Sequence, residues 1–288
     1  MYYFFSLLTG ILIAVMIAVN GGLSEYYGVY LSTIIIHIVG LGFITALALL
    51  NRERLFAARH PWFLYLGGAL GVSIVVANNL AFGRISVSAI LALGLFGQSV
   101  MGLLMDRYGF LNMPKYPFTK LKLIGLFFIS GGIVSMITSL EIVAVTASFI
   151  AGISIVLSRT LIARLAELTS VRTGTFYNYL FGLIVSIPVF LLLGDSGINL
   201  TEMNISPNIF IYMGGILGVC VVMLNNITVV KISAFYLTLF IFIGQVFSGI
   251  LIDIIISQEF SPRNLIGGVL VTIGLCINLL LDKKRFAK

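Results

Sequence analysis

The chain has 288 residues, of which 60% are hydrophobic and only 9% charged, with a mean hydropathy of +1.14 and a formal net charge of +7. Soluble domains carry about 25% charged residues, so this composition excludes a soluble domain of any size and describes an integral membrane protein. It also excludes a nucleic-acid patch as the reason for the positive charge, because no solvated domain exists to carry one.

Continuous hydrophobic runs predict helices; the strands of a barrel would alternate. A spanning helix takes roughly 20 apolar residues. In chain order the predicted spans are 3–23, 29–50, 62–82, 86–105, 121–139, 142–163, 173–193, 208–230, 233–256 and 264–281. The first begins almost at Met1, with no basic stretch and no small-residue cleavage site, so it reads as a retained helix and not a signal peptide. Pro61, Pro207 and Pro262 fall at helix starts, where a missing N–H costs least, and Pro188 falls inside the seventh span, where a kink is expected.

Basic residues orient these spans. With the N-terminus in the cytoplasm, the inner side receives Arg52, Arg54, Arg59, Arg107, Lys115, Lys120, Lys122, Arg159, Arg164, Arg172, Lys231, Lys283, Lys284, Arg285 and Lys288. The outer side receives only Arg84 and Arg263. Both termini are then cytoplasmic, and +7 is a topology signal.

The sequence also repeats itself. Residues 67–106 realign on 214–253 at a constant offset of 147, with 15 of 40 positions identical. Asn78-Asn79 matches Asn225-Asn226, Gly97-Gln98 matches Gly244-Gln245, Gly102 matches Gly249, and Asp106 matches Asp253. At an offset of 142, Gly10, Leu23, Glu25 and Gly40 fall on Gly152, Leu165, Glu167 and Gly182, and Leu123-Ile124-Gly125 falls on Leu265-Ile266-Gly267. The expected organisation is two five-helix units, 1–140 and 141–288. An odd number of helices per unit inserts the second copy upside down. The loop charges agree: Arg52, Arg54 and Arg59 follow the second span, whereas Asp195 and Glu202 follow the seventh. Inverted repeats of this kind point to a transporter with its site between the halves.

Polar side chains within spans are expensive in hydrocarbon and mark where function is to be sought. Gln98 and Gln245 lie near mid-helix, and Gly94, Gln98 and Gly102 share one helical face. Each could wall a cavity or bridge helices. Of each pair Asn78-Asn79 and Asn225-Asn226, one residue can face a cavity while the other packs, since neighbours point about 100° apart. The sets Gly67/Gly68/Gly71 and Gly214/Gly215/Gly218 read as close helix packing. His37 is the one histidine inside a span, with a titration range suited to proton coupling. Its repeat partner is Tyr179, beside Tyr177 and Asn178, which together offer a polar, aromatic surface. Arg84 and Lys231, basic in both halves, read as snorkelling interface residues. Glu25 and Glu167 fall at or beyond helix ends. Cys220 and Cys276 are isolated, no HExxH, G-x-S-x-G or P-loop motif occurs, and nothing calls for an enzyme, a metal or a cofactor.

The run Gly97-Gln98-(x3)-Gly102-(x3)-Asp106-(x2)-Gly109 resembles the GQ…D…G segment of the YdcZ-like branch of the drug/metabolite transporter superfamily. Ala163-Arg164-Leu165-Ala166 followed by Phe176-Tyr177-Asn178-Tyr179 resembles the opening of that family's second unit, and Asn20-(x2)-Leu23 the opening of its first. The resemblance covers essentially the whole chain, although Ile256 replaces the second unit's equivalent of Gly109. It implies a ten-helix transporter of the bacterial cytoplasmic membrane, moving a small molecule by alternating access. Small multidrug exporters of the superfamily use a glutamate in the first helix, whereas here that helix offers Asn20 and small hydroxyls, which disfavours a carboxylate-driven exporter of permanent cations. The expected function is therefore export of a metabolite or drug-like molecule, with Gln98, Gln245, Asn78, Asn225, His37 and Asn178 as polar contacts and Tyr177 and Tyr179 as aromatic walls. That uncharged set fits a neutral or zwitterionic substrate. The partners are this substrate and the lipid bilayer, with proton coupling and a homodimer left open. The alternative is a non-transporting scaffold or accessory subunit with a dry interior, and a flippase would need a lateral opening.

Overall fold

The computed structural model describes residues 1–53, 55, 61–108, 122–137, 141–194, 205–229, 231, 234–258 and 260–286. Arg54, Arg59, His60, Gly109, Lys115, Lys120, Asp195 and Glu202 lie outside the described residues, as do the side chains of Asp106, Lys122 and the C-terminal residues from Lys283. The described chain is helical, with no strand. In order the helices are α1 (Tyr2–Tyr27), α2 (Val29–Leu50), α3 (Leu66–Ala81), α4 (Val87–Tyr108), α5 (Lys122–Met136), α6 (Ile142–Leu168), α7 (Val171–Leu193), α8 (Gly214–Val229), α9 (Ala234–Ser257) and α10 (Pro262–Phe286). Short 3-10 turns, Trp62–Tyr65 and Ile209–Met213, lead into α3 and α8. Eight of these segments are long and apolar enough to cross a membrane, while α5 and α10 carry shorter apolar stretches, Leu123–Met136 and Pro262–Asn278. Large apolar side chains such as Phe127, Val134, Leu191 and Leu192 point outward, as a lipid-facing surface requires.

Several boundaries differ from the sequence reading, among them the end of α10, which runs to Phe286 and not 281. Helix α1 continues to Tyr27 and meets α2 across Gly28 alone, whose φ of 77° lies in the left-handed region that suits glycine. Helix α6 runs to Leu168, more than a turn beyond the predicted end at 163. Helix α7 continues through Pro188.

Glycines set how close the helices come. Added to Gly10 of α1, a Cβ would lie 2.0 Å from the Ile241 carbonyl oxygen of α9. The repeat-related contact has the same form: at Gly152 of α6 it would lie 2.0 Å from the Gly94 carbonyl oxygen of α4. Likewise Gly68 of α3 abuts the Asn178 backbone of α7, and Gly215 of α8 abuts the Ile36 backbone of α2, each with only 2.4 Å for a Cβ. Helices α5 and α10 close on each other through Gly125, Gly132, Gly267 and Gly274. Small residues are what permit such backbone approach. The predicted packing role is thus met at Gly68 and Gly215.

Asp253, near the end of α9, caps α4. Its carboxylate accepts from the Val87 and Ser88 backbone N–H groups (2.6 and 3.0 Å), from the Ser88 hydroxyl, and from the Asn264 amide (3.3 Å). It satisfies donors that the first turn of α4 leaves open. The aspartate of the repeated segment is thereby explained as structural in the second copy.

A Gly152→Leu substitution drives a side chain into backbone that cannot yield, an overpacking cost of about 1–3 kcal/mol or more. The detergent-purified variant should melt about 5–10 °C below wild type. Gly42→Leu, at a position with nothing within 4 Å, should melt within about 2 °C of wild type.

Candidate functional site

A cavity of about 180 Å³ lies inside the bundle, walled by α1–α4 and α6–α9, with no described residue of α5 or α10 on its wall. At about 30 Å³ per water that volume holds roughly six waters, so a molecule of small amino-acid size would fit. Most of the wall consists of residues related by the two repeat offsets: Ile17 with Arg159, Asn20 with Ile162, Ile36 with Asn178, His37 with Tyr179, Gly71 with Gly218, Asn78 with Asn225 and Gln98 with Gln245.

Seven of the eight residues singled out in the sequence line this cavity: Gln98, Gln245, Asn78, Asn225, His37, Asn178 and Tyr179. Gln245 is buried, and its Oε1 has no hydrogen-bond partner in the protein. The Asn178 and Asn225 Oδ1 atoms are in the same state. In the first asparagine pair the two roles separate as expected: Asn78 faces the cavity, while Asn79 is buried and donates to the Ser32 hydroxyl at 3.1 Å. In the second pair both Asn225 and Asn226 line it.

His37 and Tyr179 combine lining with packing. The His37 Nδ1–H donates to the Thr33 carbonyl at 2.7 Å, and its ring lies against Gly182. Tyr179 is buried across Gly40 and Gly218 and donates its hydroxyl to the Gly215 carbonyl at 3.2 Å. Their rings stand 5.9 Å apart, which joins α2 to α7.

Tyr177 is a correction: it does not line the cavity. Its ring packs on Tyr65 at 5.0 Å and belongs to a buried cluster with Leu161, Leu165 and Phe176. On α7 the face centred between positions 178 and 179 turns to the cavity, which rotates 177 away from it. Gly71 is a correction of the opposite kind, since it lines the wall where packing was expected, whereas Gly218 lines the wall and also packs on the Tyr179 hydroxyl as expected. Gly102 faces open space, so of its predicted helical face only Gly94 and Gln98 reach the cavity.

Arg159 is the largest departure. The sequence reading assigned it to the cytoplasmic side; the structure places it on the cavity wall, more than two turns before α6 ends at Leu168. The predicted span 142–163 already contained it, and an arginine inside a span was the available signal. Asn20, a motif residue and a polar group of the first helix but not among the expected contacts, is buried on the wall with its Oδ1 directed at Gly214 and unpartnered. Arg84, Lys231, Glu25 and Glu167 are all exposed and away from the cavity, with Glu167 paired to Arg164 at 2.7 Å.

A polar latch joins the α2 end of the bundle to α7. The Ser170 hydroxyl caps α7 at the Thr173 N–H and donates to the Glu53 carboxylate at 2.7 Å, and Arg172 pairs with the same carboxylate. Burial pushes the Glu53 carboxyl up, but the Ser170 hydroxyl and the Arg172 guanidinium outweigh it and hold the group below the usual glutamate range. On the opposite side the Tyr27 and Tyr212 hydroxyls hydrogen-bond each other and both accept from the Ser206 N–H.

The family model described as "Putative inner membrane exporter, YdcZ" matches residues 1–135 and again 143–277. A protein known by its crystal structure aligns over 97% of both chains, with a TM-score of 0.67 at 15% identity, and so shares the fold. No curated protein matches the chain.

Because the Glu53 pKa is lowered on folding, the latch stabilises the protein above the ordinary glutamate pKa of about 4.3, and that contribution is lost as pH falls through the depressed folded value. Glu53→Gln should therefore melt below wild type at pH 7, with the difference shrinking to nothing in melts taken well below pH 4.

Proposed function

The chain belongs to the YdcZ family of inner membrane exporters, and from that premise we propose that it carries a small molecule outward by alternating access of one cavity between two inverted five-helix halves. The protein is a multi-pass protein of the cytoplasmic membrane, and its family is one of exporters, not enzymes. The finer reading is ten spans, units 1–140 and 141–288, and both termini inside. The repeat, the reciprocal glycine contacts and the loop charges support it, and the inside bias persists with Arg159 removed from the count.

One observation carries the transport reading: the amides that repeat between the halves, Gln98 with Gln245 and Asn78 with Asn225, meet on one internal cavity. A buried polar atom left without a partner costs about 1–3 kcal/mol, and water or a ligand in the cavity would relieve that cost. A dry scaffold would have no use for such a wall. Rocking of one half against the other would open the cavity to alternate sides. The contacts between halves, α1 with α9 and α4 with α6, are the surfaces on which that motion would occur.

The test compares metabolites in cells and medium for strains expressing wild type or Gln98→Leu/Gln245→Leu at equal membrane levels. The expected result is a compound enriched in the medium by wild type and reduced about tenfold or more in the double variant, as loss of two buried ligand hydrogen bonds predicts. Equal export by both would remove the amides from the site.

A further inference from the structure

We infer that the transported molecule is a small monocarboxylate, or a zwitterion bearing a carboxylate, and that Arg159 binds it. This rests on the transport reading and narrows its substrate. Arg159 is the one charged side chain on the cavity wall, which includes no Asp, Glu or Lys among the described residues. No described residue forms a hydrogen bond or ion pair with its guanidinium. Its position is fixed by its neighbour, since the Ser158 hydroxyl donates to the Gly67 carbonyl at 2.8 Å and ties this turn of α6 to α3.

An ionised side chain inside a span normally pairs with a counter-charge, because neither lipid nor a narrow cavity solvates it as bulk water does. No described residue supplies that counter-charge, and a molecule entering the cavity can supply it. Arginine cannot shed its proton to escape the cost, and its planar fork matches a carboxylate in two parallel hydrogen bonds. A single cation offsets a single negative charge. A doubly charged phosphate would leave an uncompensated charge in the cavity, so the carboxylate fits better. The repeat equivalent of Arg159 is Ile17, so this charge has no twin in the other half of the wall and gives the substrate a charged end and an uncharged end. The unpartnered amides of Asn178, Asn225 and Asn226 supply further polar contacts without adding charge.

The test repeats the metabolite comparison with Arg159→Gln and Arg159→Lys, both checked for wild-type membrane level and gel-filtration profile. The expected result is that wild type exports a compound carrying one carboxylate, that Arg159→Gln lowers export about ten- to a hundredfold, and that Arg159→Lys retains part of it. Export of a neutral or purely cationic compound, or of an anion at equal rate by Arg159→Gln, overturns the inference while leaving transport standing. If wild type exports nothing, the transport reading fails, and the anion site is decided by thermal melts of the purified full chain in chloride-free buffer. A panel of amino acids, hydroxy acids and aromatic carboxylates, each against its amide, together with inorganic phosphate, is then compared on wild type and Arg159→Gln. A rise in Tm for a carboxylate, absent for its amide and absent in Arg159→Gln, supports the site. No ligand separating wild type from Arg159→Gln, or phosphate doing so better than every carboxylate, overturns it. Should Arg159→Gln fail the folding check, Arg159→Lys carries the comparison, and unchanged selectivity between a carboxylate and its amide overturns the inference.

Discussion

Lipid offers no hydrogen bonds, so every polar group that a membrane protein carries into the bilayer must find its partner inside the protein or in water it admits. The backbone meets this demand by forming helices throughout the described spans. The side chains mostly meet it locally, as where Thr9, Thr33, Thr175 and Thr228 return their hydroxyls to carbonyls of the preceding turn. Asp253 meets it at long range by capping α4. A small set does not meet it at all. Asn20, Asn178, Asn225, Asn226 and Gln245 share one cavity wall, each with a buried polar atom that lacks a partner, and Arg159 stands on the same wall with no described hydrogen-bond or ion-pair partner. Most of the unpartnered buried side-chain atoms occur together on this wall, the Asn79 and Asn278 Oδ1 atoms being the exceptions among the described residues, and that is why the cavity reads as a place for a guest.

The cavity exists because the helices around it touch elsewhere. Glycines at Gly10, Gly152, Gly68 and Gly215 bring backbones together along four seams, which fixes the helix axes. Between the seams, small residues at Gly71 and Gly94 face the open volume, and Gly218 makes room for the Tyr179 hydroxyl. The same residue type therefore has two uses, distinguished only by which face of the helix it occupies. The polar latches, Glu53 with Ser170 and Arg172 on one side and Tyr27 with Tyr212 on the other, hold helices at opposite ends of the cavity.

Much of this was legible in the sequence because the repeat samples each position twice. The amides at 78, 98, 225 and 245 were visible as polar letters in apolar runs that recur at a fixed offset, and all four reach the cavity. Helix phase was less legible. Three consecutive polar or aromatic residues, Tyr177, Asn178 and Tyr179, cannot all face one way on a helix, and sequence alone did not say which would turn outward. Arg159 was misplaced because a rule that assigns basic residues to loops is blind to one held inside a span. The latches were invisible, since Glu53 and Arg172 are 119 residues apart and neither belongs to a motif.

Side-specific labelling of a cysteine at the centre of the wall tests the account most directly. In a background with Cys220 and Cys276 replaced, Gln98→Cys would be exposed to a membrane-impermeant thiol reagent in right-side-out and, separately, in inverted vesicles. Alternating access of a single cavity predicts reaction from both sides, and slower reaction from one side when a transported compound is present in excess. Reaction from neither side, or from one side only under every condition, would contradict it.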